Sequence, residues 1–236
     1  MNGYCLLCHR RYVSRMSWSD LLTVKQEDVL CDVCRRSFSL IEGDICDRCG
    51  RSFSLLDETY RQGECCADCL RWQQDDEWSG MLTKNRSVYV YDDFMKEVVS
   101  RWKFRGDYAL VEAFRIDVRR EFFRHFSSES LLIPIPLSRE RLYERGFNQA
   151  KALADLLFLP VFDVLERHDS EKQSKKSRYE RLRTAPFRLH AGGQLQGKSV
   201  VIIDDIYTTG STVYHAARLL KEAGACDVCS FTLIRA

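Results

Sequence analysis

No excess of charge of either sign marks this chain: 36 Lys and Arg stand against 34 Asp and Glu, a formal +2. A histone-like polycation and an acidic-tailed protein are both excluded. Long apolar runs are missing too. None approaches the roughly 18 residues of a membrane-spanning helix, so no membrane insertion is expected. The first residues, Met1 to Arg11, carry no hydrophobic leader, and a cytoplasmic setting is the expectation. What the chain does have is 45% hydrophobic and 11% aromatic residues over a length of 236, enough for a real core. That length is about one and a half typical domains, which points to one large domain and one small.

Eleven cysteines are present, and nine of them precede residue 70. Without an export signal, metal ranks ahead of disulfides. They fall as Cys5-x2-Cys8, Cys31-x2-Cys34, Cys46-x2-Cys49 and Cys66-x2-Cys69, with Cys65 left over. Each knuckle offers two thiolates to a tetrahedral Zn²⁺ at about 2.3 Å, and two knuckles close a site. Taken in chain order they give two structural zinc ions, one on Cys5, Cys8, Cys31 and Cys34, the other on Cys46, Cys49, Cys66 and Cys69. Interleaved knuckles, a single zinc and redox dithiols are the alternatives. Cys66 is preferred to Cys65 because it restores the x2 spacing. With every position filled by protein there is no place for a water nucleophile, so such sites hold structure rather than do chemistry. The segment is too poor in apolar residues to fold without metal. Trp18, Leu21, Leu22, Phe38, Phe53 and Tyr60 form either a thin core around the metals or a docking surface. Cys226 and Cys229 make a fifth pair, read as buried free thiols because strand alternation points them apart.

Residues 1–72 are thus expected to form the metal module and 73–87 a linker. An α/β domain is expected over 88–236. There Val88–Tyr91 reads as a strand, and Asp92–Phe104 and Tyr108–His125 as helices. Leu131–Ile135 is a second strand, and Asn148 caps a helix lined by Ala150, Leu153, Ala154 and Leu157. Ser199–Asp204 is a buried strand, Ser211 opens a helix that stops at Gly224, and Phe231–Ile234 closes the chain of elements. Alternating strands and helices imply a mainly parallel sheet covered on both faces. Ligands then belong outside the carboxyl ends of the strands.

The run Val200-Val201-Ile202-Ile203-Asp204-Asp205-Ile206-Tyr207-Thr208-Thr209-Gly210-Ser211-Thr212 is the informative one. A buried strand delivers two carboxylates, and a hydroxyl-rich turn leads straight into a helix whose first N–H groups favour a phosphate. Thr208, Thr209, Ser211 and Thr212 add hydroxyl donors, and Gly210 permits close backbone approach. Carboxylates accept from the vicinal hydroxyls of a sugar. The set describes a ribose 5-phosphate cradle; a strand end binding Mg²⁺ alone would leave the turn unexplained.

This segment resembles the phosphoribosyl-pyrophosphate (PRPP) motif of type I phosphoribosyltransferases. The resemblance implies that Asp204 and Asp205 contact the ribose hydroxyls. It also implies that Thr208, Thr209, Gly210, Ser211 and Thr212 hold the 5′-phosphate. Over essentially the whole chain the pattern is similar to the ComF competence family, including its ComFC- and GntX-type members. That wider likeness rests on zinc knuckles followed by Lys103-Phe104-Arg105-Gly106-Asp107, then Pro134-Ile135-Pro136-Leu137 and Arg145-Gly146-Phe147-Asn148-Gln149. The chain departs from the family at Thr184, where Asn is usual. The implied fold is a type I phosphoribosyltransferase-like parallel sheet with helices on both faces, preceded by a small N-terminal double zinc-ribbon domain.

Two loops complete the expectation. Pro134–Gln149 sits where such enzymes hold pyrophosphate; Arg145 is the favoured ligand there, with Arg139, Arg141 and the backbone near Ser138 as helpers. Segment 167–188 carries eight basic and three acidic side chains, Lys175, Lys176 and Arg181 among them. It matches the position of a mobile active-site hood. The same charges suit a DNA backbone, and Tyr143, Phe147 and Tyr179 suit base stacking.

Three functions follow. The first is a competence protein at the DNA-uptake machinery, handling incoming single-stranded DNA and meeting a competence helicase through its zinc ribbons. The second is a phosphoribosyltransferase using PRPP with Mg²⁺. The third is a PRPP sensor without turnover. Eight thiolates on two zinc ions would take residues 1–72, with 10 basic and 11 acidic side chains, to a formal −5. A near-neutral chain is then an acidic metal module joined to a modestly basic domain.

Overall fold

The structure, a computed structural model, describes residues 2–13, 29–104, 106–167, 187–190 and 195–236. Trp18, Leu21, Leu22, Arg105, Lys175, Lys176, Tyr179, Arg181 and Thr184 lie outside the described residues.

Two similar modules open the chain. The first has a hairpin of β1 (Asn2–Tyr4) and β2 (Arg11–Val13), followed by helix α1 (Asp32–Arg36). The second has β3 (Arg61–Gln62) and β4 (Cys65–Cys66), followed by α2 (Ala67–Gln74). Each begins with the same knuckle turn. Cys5 N–H donates to Arg10 O at 3.0 Å and His9 N–H to Cys5 O at 2.9 Å; Cys46 to Arg51 and Gly50 to Cys46 repeat the pattern at 2.8 and 2.9 Å. The turn needs a left-handed residue, supplied by His9 (φ 57°) in one module and Gly50 (φ 69°) in the other. The second knuckle of each module lies on a helix start: Cys31 and Cys66 are the N-caps of α1 and α2.

The main sheet is fully parallel in the order β5 (Asn85–Val90), β10 (Asp227–Arg235), β9 (Ser199–Tyr207), β6 (Leu131–Pro134). Val201 and Ile203 of β9 face one core, shared with α3 (Asp93–Phe104), α4 (Arg115–His125) and α6 (Gln149–Asp155). Val200 and Ile202 face the other, shared with α7 (Ser211–Glu222). The metal modules divide between these faces: Cys5 and Cys34 pack in the first core, Cys46, Cys49, Cys66 and Cys69 in the second. They straddle the β5 edge because the chain between them runs antiparallel along it, with Ile41 N–H on Val88 O and Val90 N–H on Ser39 O. That path also covers an otherwise open strand edge.

The first module is fixed by two arginines. Arg101 of α3 donates to Leu6 O and Leu7 O at 3.0 and 2.8 Å. Arg35 of α1 meets Asp117 of α4 at 3.2 Å, where Tyr89 donates to the same carboxylate at 2.7 Å. Burial and that carboxylate hold the Tyr89 phenol well above its ordinary range. Asp117→Ala would take the acceptor from the Tyr89 hydroxyl and one of the partners from Arg35 and Arg120, which keep Ala113 O and Glu121; a loss of about 2 kcal/mol is expected in urea unfolding.

Several elements differ from expectation. Tyr108–His125 is not one α-helix: Tyr108–Phe114 winds as a 3₁₀ helix and α4 begins at Arg115. The tighter winding stacks residues three apart, and it buries Leu110 with Ala113 and Val111 with Phe114. The strands β5 and β10 start earlier than their apolar residues suggest. Their polar starts are paired in the interior: Asn85 with Ser230 and Ser87, and Ser87 with Thr232 at 2.7 Å. Cys229 is buried as expected, but Cys226 is exposed, because it sits before β10 begins.

Candidate functional site

At the carboxyl end of β9 the acidic pair is met by two cations, Lys103 and Arg167. Asp205 forms an ion pair with Lys103 of α3 at 2.5 Å, both side chains largely covered. Asp204 accepts from the Asp205 N–H at 2.8 Å. Burial, and after it the Asp205 charge, pushes the Asp204 carboxyl up to about 7, against the pull of Lys103 and Arg167. Arg167, at the end of β7 (Leu165–Arg167), is held below its ordinary range by burial and then by Arg141; Asp204 opposes this and Arg145 adds to it. Three guanidiniums and one carboxylate therefore share a field, and an anion there would relieve the repulsion.

The strand does not stop at the acids. Pairing with β10 carries it three residues further, to Tyr207. Thr208, Thr209 and Gly210 make the turn, and α7 starts at Ser211. Gly210 is the N-cap in the left-handed region (φ 86°), and a Cβ on it would lie 2.3 Å from the Tyr207 hydroxyl. Both constraints demand glycine. Gly210→Ala is expected to cost on the order of 2 kcal/mol, read from chemical unfolding. Thr208 and Thr209 are exposed and Ser211 and Thr212 half-buried, so the turn is open to solvent where its helix begins.

On the neighbouring strand, Ile135 N–H continues the pairing to Ile203 O, and the chain then enters α5 (Arg139–Arg145) beside the acidic pair. Ser138 is that helix's N-cap and its hydroxyl accepts from Arg141 N–H at 3.3 Å. Arg139 is exposed, whereas Arg145 is half-buried, bonded to Gln149 at 2.8 Å and lying over the Phe104 ring. Asn148 caps α6 as its sequence suggests, accepting from Ala150 and Lys151. Arg167 pairs in register with Phe187 of β8 (Phe187–Leu189), so both ends of the basic segment reach the site's rim. Lys175, Lys176 and Arg181 fall within that segment, outside the described residues.

Two sulfur clusters complete the picture. The thiols of Cys5, Cys8, Cys31 and Cys34, and those of Cys46, Cys49, Cys66 and Cys69, each lie within 4.8 Å of one another. Cys8 to Cys31 and Cys49 to Cys66 are both 3.7 Å apart. A tetrahedron with Zn–S of about 2.3 Å has an edge of about 3.75 Å, so the donor set fits zinc. Knuckles pair in chain order, and Cys65 stands outside the second cluster.

Comparison with known proteins agrees with both halves. A double zinc ribbon model matches residues 3–70 and a phosphoribosyl transferase domain model matches 143–236. Competence protein ComFC of Bacillus subtilis (strain 168) is 42% identical over 98% of this chain and 94% of its own. The chain belongs to the ComFC family of competence proteins. ComFC of Streptococcus pneumoniae is 34% identical over 98% of this chain and 99% of its own. DNA utilization protein YhgH of Escherichia coli O6:H1 is 30% identical over 72% and 77%. In this ComFC-family chain, sequence reasoning missed Lys103 and Arg167 as neighbours of the acidic pair. Lys103 stood in the family-like run 103–107 and Arg167 opened the basic segment, but neither pattern places them beside the acids; that takes the last turn of α3 and the end of β7. No described helix is long and apolar enough to cross a membrane.

Proposed function

We propose that this protein supports the handling of incoming single-stranded DNA during natural transformation, and that it does so with a PRPP-type ligand in the Asp204–Thr212 cradle. One observation carries the ligand assignment: the acidic pair that leads into the hydroxyl-rich turn is also met by cations, Lys103 in an ion pair with Asp205 and Arg167 in the field of Asp204. A molecule that carries a phosphate, two vicinal hydroxyls and a diphosphate fits that set of groups. The Thr208–Thr212 turn takes the 5′-phosphate, Asp204 and Asp205 take the ribose hydroxyls, and Lys103, Arg145 and Arg167 face the diphosphate. Ser138 contributes by capping α5, and Arg139, with Lys175, Lys176 and Arg181, supplies further positive charge. Magnesium would travel with the ligand, held mainly by its oxygens and water.

The same arrangement supports turnover as a second reading. Guanidiniums and Lys103 stabilise a departing pyrophosphate, and the carboxylates face the ribose as positive charge develops on its ring. The chain's part is positioning and electrostatics. DNA contacts would use the exposed Tyr143 and the basic rim, and the zinc ribbons would meet a competence helicase.

Calorimetric titration tests these readings together. Mg²⁺-PRPP and a single-stranded oligonucleotide are titrated separately and in competition, at two salt concentrations. PRPP binding with little salt dependence and oligonucleotide binding that weakens steeply with salt are expected. No heat with PRPP at millimolar concentration would remove the cradle assignment. Unchanged transformation efficiency after gene deletion would remove the competence role.

A further inference from the structure

A phosphate turn works only if its N–H groups face the anion, and that orientation is set by where the intervening carbonyls are fastened. Here three successive carbonyls are fastened from one side. The Arg235 guanidinium donates to Tyr207 O at 3.1 Å and to Thr208 O at 2.9 Å. The Trp72 indole N–H donates to Thr209 O at 3.0 Å. Both donors are tied to the second cysteine cluster. The other arm of Arg235 lies 3.4 Å from Cys49 Sγ, and the residue is only 5% exposed. Trp72 lies on α2, three residues after Cys69, with its ring stacked on Tyr214 of α7 at 4.1 Å and 9°.

We infer that Arg235 and Trp72 are positioning residues that couple the second zinc site to the 5′-phosphate turn, so that each site reports on the other's occupancy. The inference rests on the cradle assignment above. A peptide whose N–H bonds a phosphate becomes polarised, and its C=O accepts more strongly. Phosphate at the turn thus draws Arg235 toward Thr208 O and changes its hold on the Cys49 thiolate. Linkage makes the effect reciprocal: whatever factor the ligand adds to zinc affinity, zinc adds to ligand affinity. Among the described residues, the first cluster, on the other face of the sheet, has no such connection through Arg235 or Trp72.

Zinc-loaded full-length protein is challenged with a chelator, with and without ribose 5-phosphate, and zinc release is followed in two phases. In the wild type, ribose 5-phosphate is expected to slow one phase about fivefold or more and leave the other unchanged. Arg235→Lys keeps the charge but cannot span two carbonyls and a sulfur. It is expected to bind ribose 5-phosphate about tenfold more weakly, and the protection of zinc is lost. Trp72→Phe keeps the stack on Tyr214 and loses only the N–H. It is expected to fold with two zinc ions and to bind roughly threefold more weakly. In cobalt-substituted wild type, the sulfur-to-metal absorption shifts on adding ribose 5-phosphate, and in Arg235→Lys it does not.

If the wild type binds ribose 5-phosphate yet releases both zinc ions at unchanged rates, the coupling is refuted while the cradle stands. Wild-type affinity in both variants would refute it too. If the wild type binds no ribose 5-phosphate, the cradle assignment fails first and the coupling falls with it.

Discussion

Serine in place of Cys46 is expected to cost the protein one of two zinc ions and to lower its melting temperature by at least about 10 °C. Cys46 is fully buried and belongs to the core that joins the second module to α7 and β9. The module has little apolar substance of its own: apart from the cysteines its buried hydrophobic residues are few, chiefly Phe53. Structural zinc contributes on the order of 10 kcal/mol to such modules, and for a chain of this size each kcal/mol moves the midpoint by about 2–4 °C. Loss of even a third of that contribution gives the stated shift. The damage would reach past the module, because Trp72 makes two aromatic contacts across its boundary, edge-on to Trp78 and stacked on Tyr214. Cys65→Ser is the matched control. Its thiol stands outside the cluster, so two zinc ions and a midpoint within about 0.5 kcal/mol of wild type are expected. Metal content by atomic absorption and scanning calorimetry measure both. Two zinc ions retained by Cys46→Ser would show that the second cluster is not what binds them.

What the sequence disclosed, and what it hid, follows from the range of the interactions involved. The Cys-x2-Cys spacing is legible because it is local: a knuckle turn, or an N-cap and the third residue of a helix, brings two sulfurs together without help from elsewhere. The choice of Cys66 over Cys65 was legible for the same reason, since only Cys66 caps α2. The acidic pair and the turn after it are also contiguous, and Gly210 carries its own backbone requirement. The division of the two modules between opposite faces was not legible. It depends on Ser39–Ile41 pairing with β5, a contact between segments some fifty residues apart that no local pattern encodes. The early starts of β5 and β10 were hidden because Asn85, Ser87 and Ser230 look like the polar flanks of strands and instead pair inside the sheet, where Thr232 completes the set. Arg235 was hidden most deeply. It follows an apolar run as a terminating charge would, and only the fold brings Cys49 and Thr208 to its two arms.

The affinity for Mg²⁺-PRPP is expected to rise with pH through neutrality, and Asp204→Asn is expected both to weaken binding about 10- to 100-fold and to remove that rise. Burial and the Asp205 carboxylate set the Asp204 carboxyl at about 7. A carboxyl one unit below that value is roughly one-tenth ionised, and one unit above it roughly nine-tenths. The ionised form accepts strongly from ribose hydroxyls and the neutral form does not, so affinity gains on the order of tenfold between pH 6 and 8. Stability runs the opposite way. A carboxyl raised in the folded state contributes most below about pH 4, and that contribution is lost as pH climbs to about 7. The protein would thus give up stability over the same interval in which it gains ligand. The ligand's own phosphates also titrate near pH 6, and the Asn variant isolates them, because it keeps the ligand's titration and lacks the carboxyl's. Asp205→Asn should behave differently. It leaves Lys103 without its carboxylate and relieves the repulsion that helps raise Asp204. The rise in affinity would then shift to lower pH rather than vanish. Parallel pH–affinity curves for wild type and Asp204→Asn would show that this carboxyl is not the titrating group in the site.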